Sequence, residues 1–183
     1  MRALIIGLVL QLASCTLCSA QEQFDAKKVG KSVRKLANQI AEGLTVDSRD
    51  VGRAPVTTDQ YRKYTLLAAT ATEKELIALT HHSSPAVRSY ACLGLYKIKS
   101  RELLNILREH ESDTAVVTTR SGCLVGQPRV VDYIFFKFLY QQRANTYSLI
   151  PADTLLIERV RAAMWDRHER NDVNIERQRK SLK

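Results

Sequence analysis

The sequence predicts an all-α domain of antiparallel helix pairs, and three observations carry that expectation. Apolar residues recur at three and four positions in several separate stretches. Two of those stretches open on helix start signals, Thr72-Glu73-Lys74-Glu75 and Ser84-Pro85. The chain, 183 residues with an export signal at its front, leaves enough length for one domain with its own core.

The opening reads MRALIIGLVLQLASCTLCSAQ, with Arg2 as the only charge before Glu22 and a largely apolar run over Ala3–Leu12. A positive start, a short apolar core and small residues near a cleavage point make a secretory signal. A bilayer-spanning helix needs about 20 apolar residues, roughly twice this run. Two cleavage points compete. Leu12-Ala13-Ser14-Cys15 resembles, at all four positions, the lipobox of bacterial lipoproteins, whose processing leaves a lipidated cysteine as first residue. Cys18-Ser19-Ala20 before Gln21 suits an ordinary signal peptidase less closely. The signal is therefore 1–20, or 1–14 in a lipoprotein, and the closer match makes Cys15 the lipidation site. The expected location is the bacterial periplasm or, through the lipid, a membrane of the cell envelope.

Net charge is +9, and Lys27, Lys28, Lys31, Arg34 and Lys35 cluster. For an exported chain the anionic neighbours are lipid headgroups and other envelope polymers rather than nucleic acid. A solvated basic surface without a ligand is the simpler alternative. Cys92 and Cys123 survive either cleavage. An oxidising compartment lets them pair as a disulfide, whereas the apolar helical setting of Cys92 favours a free thiol packed as a small hydrophobe.

Phe24–Leu44 reads as a helix with Val29, Val33, Leu36, Ala37 and Ile40 opposite the lysines and Gly43 closing it. Thr45–Thr58, with Gly52, Pro55 and several charges, reads as a loop. Thr57, Thr58 or Asp59 then caps a helix over Gln60–Thr70. The capping box at Thr72 opens a short helix through Leu76, Ile77 and Leu79. After Ser84-Pro85, Val87, Ala91, Leu95 and Ile98 form one stripe, with Tyr90 beside it and Gly94 suited to a close helix approach.

The stretch Ser84-Pro85-Ala86-Val87-Arg88, with Ala91 and Leu95 following, resembles the second helix of a HEAT-type, armadillo-like repeat, with Thr72–Thr80 as the first. The resemblance implies a short right-handed solenoid of helix pairs whose surfaces bind partners. It departs from the family at the inter-helix turn, where His82 or Ser83 stands in place of the usual Asp.

A second unit starts at Ser100 with Leu103, Leu104 and Leu107, and Ser112-Asp113 is placed to cap a partner helix. There the pattern decays. The segment 114–128 reads as a poor helix, a loop or a short strand pair, because Thr114–Thr119 is β-branched and Ser121-Gly122-Cys123 breaks any stripe. From Arg129 an apolar face returns at Val131, Ile134, Phe135, Phe138 and Leu139, and Phe136 and Tyr140 widen it into a helix expected to be central. Asn145–Pro151 is a turn region. Asp153–Trp165 reads as a last helix with Leu156, Val160, Ala163 and Met164 inward. The folded domain is thus 24–165, followed by a polar, charged extension over 166–183.

No catalytic, cofactor-binding or metal-binding residues are assigned. His81 and His82 are adjacent and point apart on a helix, so they suit a polar turn better than joint metal ligation; His110 and His168 are remote. Cys123 has no local partner selecting it as a nucleophile. Glu73/Glu75 and Glu109/Glu111 suit exposed helix ends, and Gly122 and Gly126 lack the context of a phosphate loop. Arg120–Arg129 is either a plain connection or a binding loop on a rigid scaffold. The expected function is an exported, non-enzymatic helical adaptor for a protein or an anionic envelope component. The rivals are a basic membrane-surface protein and an envelope enzyme or redox protein using Cys123 or a histidine.

Overall fold

Val33, Ala37 and Ile40 fall on one side of α1 (Lys31–Gly43) and are buried, while its lysines face solvent. The computed structural model describes residues 24–142 together with 154–155, 157–162 and 165–166. The signal, Cys15, His168, the inward residues Leu156, Ala163 and Met164, and nearly all of the C-terminal extension lie outside these. Gly43 is the last residue of α1, and Leu44 caps it in the left-handed conformation at φ 55°.

The chain then runs as β1 (Thr45–Val51), α2 (Asp59–Thr70), α3 (Glu73–Leu79), α4 (Pro85–Lys97), α5 (Leu103–Glu109), β2 (Thr118–Gly122), β3 (Leu124–Gly126) and α6 (Val130–Gln142). The all-α expectation is overturned: the domain is mixed α/β, with a three-stranded sheet in the order β1-β2-β3. A right-handed solenoid made only of helix pairs goes with it. Strand β1 occupies the stretch expected to be a loop. It pairs parallel with β2, Thr45 opposite Thr118 and Asp47 opposite Arg120. A parallel pair needs a long crossover, and α2 to α5 supply it. Strand β3 returns antiparallel on β2, which resolves segment 114–128 as a hairpin.

Local signals act where they stand in the sequence. Thr58 caps α2, its hydroxyl accepting from the Tyr61 N–H. The capping box at Thr72 is complete: Thr72 Oγ1 accepts from Glu75 N–H, and the Glu75 carboxylate accepts from Thr72 N–H at 2.9 Å. Its other oxygen accepts from Gly30 N–H at 2.9 Å, tying the start of α3 to the start of α1. Pro85 opens α4. Ser112 and Asp113 cap no helix; Asp113 Oδ1 instead accepts from Ala115 N–H in the turn toward β2.

The centre belongs to α4, not α6. Helix α4 packs against α1, α2, α3, α5, α6 and β1. Its small residues Ala86, Ser89, Ala91, Cys92 and Gly94 are all buried and let neighbours approach on several sides. At Gly94 a Cβ would meet the Leu76 methyls at 3.0–3.1 Å, so this glycine sets the spacing of α3 on α4. Helix α6 buries Val131, Ile134, Phe135 and Phe138, but Phe136 is exposed. Within the 154–166 stretch, Ile157 and Val160 join the same core, and Arg159 pairs with Glu111.

Candidate functional site

Three arrangements of polar side chains and one apolar projection stand out from the packed core. The first is built on Asp47. Its carboxylate, 0% exposed, accepts from Arg120 Nε at 2.7 Å, Arg120 Nη2 at 2.6 Å and Thr58 Oγ1 at 2.6 Å. Its backbone N–H donates to Tyr90 Oη at 2.7 Å. Burial pushes the Asp47 carboxyl up, but the Arg120 and Thr58 bonds and the guanidinium charge outweigh it and hold the group below its usual range. Tyr90 stacks on Tyr64, ring centroids 4.7 Å apart, and burial raises both phenols, Tyr64 to about 12. With its three donors, this carboxylate ties β1, β2 and the α2 cap together.

The second arrangement surrounds Arg88. Its guanidinium meets Asp113 at 2.9 Å with both side chains buried, and Nη1 donates to the carbonyls of His82 and Ser83. Asp113 carbonyl in turn accepts from Arg129. The arginine of the Pro-x-Val-Arg stretch thus finds its carboxylate 25 positions on. His110 lies beside this pair, its ring 5.0 Å from that of His81. Neither His110 ring nitrogen has a hydrogen-bond partner among the described residues. Burial, then His81 and Arg88, push His110 down to about 4, so it is neutral at ordinary pH. His82 Nδ1 accepts from Ser84 N–H, which makes it a turn residue, with its pKa also lowered by burial. Among the described residues no three metal-ligating side chains are grouped to hold an ion.

Lys31, Arg34, Lys35, Asn38, Gln39 and Glu42 line the third, an open recess of about 460 Å³ on the outer face of α1.

The projection is the arm that runs from Ala115 to Val130. Its base is closed by Val117 N–H to Pro128 carbonyl and Val130 N–H to Ala115 carbonyl. Gly122, at φ 53°, turns the chain at its tip. Successive strand residues point to opposite faces, yet Leu124 is 77% and Val125 70% exposed. Both faces of β3 are therefore open, and β3 is an edge of the sheet. Cys123 is exposed beside it, while Cys92 is buried in α4, its thiol pushed up to about 12 by burial. The two thiols are not joined in this structure. Sequence reading singled out Arg120–Arg129 but missed Asp47, because its partners Arg120 and Tyr90 lie 73 and 43 positions away.

No protein-family model, no curated protein and no solved structure matches the chain.

Proposed function

We propose that the chain is an exported, non-enzymatic adaptor, held at an envelope membrane through lipidated Cys15, that captures a partner protein along strand β3. The supporting observation is the double exposure of Leu124 and Val125 on a sheet edge. An edge strand offers backbone donors and acceptors to an incoming strand, and apolar side chains on both faces add contact area to that pairing. The rigid support behind it is the Asp47–Arg120 pair, which fixes β2 on β1.

A photo-reactive amino acid placed at Leu124 or Val125 in the native cell tests this reading. Discrete protein adducts at these two positions are expected, absent when the probe sits at the exposed Leu66 of α2. Adducts that are missing, or identical from Leu66, reject it. Anchoring is tested separately by lipid labelling, which Cys15→Ser abolishes. An unmodified native chain beginning at Gln21 rejects lipidation and leaves the β3 reading intact.

A further inference from the structure

We infer that the outer face of α1 is a docking surface for an anionic lipid bilayer. Lys31 and Lys35 are exposed on one side of the helix, Lys27 and Lys28 are exposed in the single 3₁₀ turn just before it, and Arg34 stands between them. Three of these cations line the open recess described above, beside the amides of Asn38 and Gln39. Asp25 accepts from Lys27 N–H, Glu75 is engaged by Thr72 and Gly30, and Glu42 lies at the far end of the recess. Opposite them, the apolar side of α1 is already buried in the core, so the cationic side is the one presented outward.

Two arguments select a bilayer as occupant. One is charge complementarity: a Lys or Arg near an anionic membrane surface contributes about 1 kcal/mol of attraction. The other is the length of chain ahead of the helix. Nine residue steps separate Cys15 from Phe24, so a lipid on Cys15 keeps the start of the domain within about 30 Å of the bilayer even at full extension. The attraction decays over a Debye length of about 8–10 Å. A tether this short holds the lysines where contact is repeatedly sampled. A lipid chain and a basic surface together give the two-signal attachment that a weak anchor needs. The inference rests on membrane anchoring at Cys15, and its test uses the unlipidated chain so that the two ideas fail separately.

The full chain carrying Cys15→Ser is titrated with vesicles of phosphatidylcholine alone and of phosphatidylcholine mixed with phosphatidylglycerol. It is expected to partition more tightly into the anionic vesicles, with an advantage that shrinks as salt is raised. Lys27→Glu, Lys31→Glu and Lys35→Glu together should weaken anionic partitioning by more than about a hundredfold, since three attractions of about 1 kcal/mol each are lost and like-charge repulsion is added. Partitioning into neutral vesicles should not change. If the reversed chain melts early, Lys27→Gln, Lys31→Gln and Lys35→Gln carry the comparison, with a smaller loss expected. Equal partitioning of the native-charge chain into both vesicles overturns the inference. So does a reversed or neutralised chain that keeps the full anionic preference. Failure of lipid labelling at Cys15 with preserved anionic preference overturns the anchor alone.

Discussion

Leu44 is where one residue works against its own geometry. It closes α1 at φ 55° with its side chain 70% exposed, so it accepts left-handed strain and gains little burial in return. Leu44→Gly should therefore stabilise the domain by about 0.5–1 kcal/mol, the steric relief exceeding the added freedom of the unfolded chain. A denaturant midpoint that stays or falls would contradict this. Gly43, one position earlier, is needed for a different reason. A Cβ there would come within 2.2–2.8 Å of the Gln60 amide, whose Nε2 donates to the carbonyls of Ile40 and Thr45. The glycine that looks like a helix terminator is thus a cradle for the side chain that finishes the helix. Periodicity places a stop near residue 43, but it carries no information about Gln60, 17 positions further along the chain.

At the scale of elements, α4 shows how a stripe can be right and still incomplete. Leu95 lies on the stripe read from sequence and is fully buried. Leu95→Ala should cost about 2–5 kcal/mol, measured as a drop in denaturant midpoint. The stripe gave no hint that Arg88 is buried as well, since a charged residue reads as solvent-facing until its partner is known. Arg88→Met leaves Asp113 without its cation and should cost about 3–5 kcal/mol, whereas Arg88→Met with Asp113→Leu should recover part of that loss. A single variant no less stable than the native chain would show the pair to be dispensable. The same distinction marks what was legible overall. Caps at Thr58 and Thr72, the Pro85 start and the buried faces of α1 and α6 depend on neighbours within a turn or two, and the sequence displays them. The sheet depends on Thr45 meeting Thr118 and Asp47 meeting Arg120, pairings more than 70 positions apart. Over Thr45–Thr58, Gly52, Pro55 and several charges favour a loop until β2 is known. Strand β3 is just three residues long, too short to show an alternating pattern. The candidate surface was therefore visible as an interrupted segment, and not as an edge strand.

Across the whole molecule, the buried polar groups set how stability responds to acid. His110 has a folded pKa of about 4 against an ordinary value of 6.5, with burial as the largest cause. The unfolded chain therefore takes up this proton first, and its contribution is fully present above pH 6.5 and lost as pH falls toward 4. For a side chain this buried the loss is on the order of 3 kcal/mol. His82 is depressed by burial and by Arg88, so it adds a loss of the same sign as pH drops below 6.5. Asp47 acts lower. Its folded pKa is below 3.8, so its contribution stays intact above that value and disappears only as pH falls through the lower folded one. Two successive declines follow, a histidine-driven one between about pH 6.5 and 4 and a carboxylate-driven one beneath it. His110→Leu removes two buried nitrogens without partners among the described residues, so it should leave neutral stability unchanged or higher. It should also flatten most of the upper decline while sparing the lower. Urea midpoints measured at intervals from pH 7.5 to about 3 decide the matter. An upper decline that persists undiminished in His110→Leu would move its origin to His82 and away from the ring beside Arg88 and Asp113.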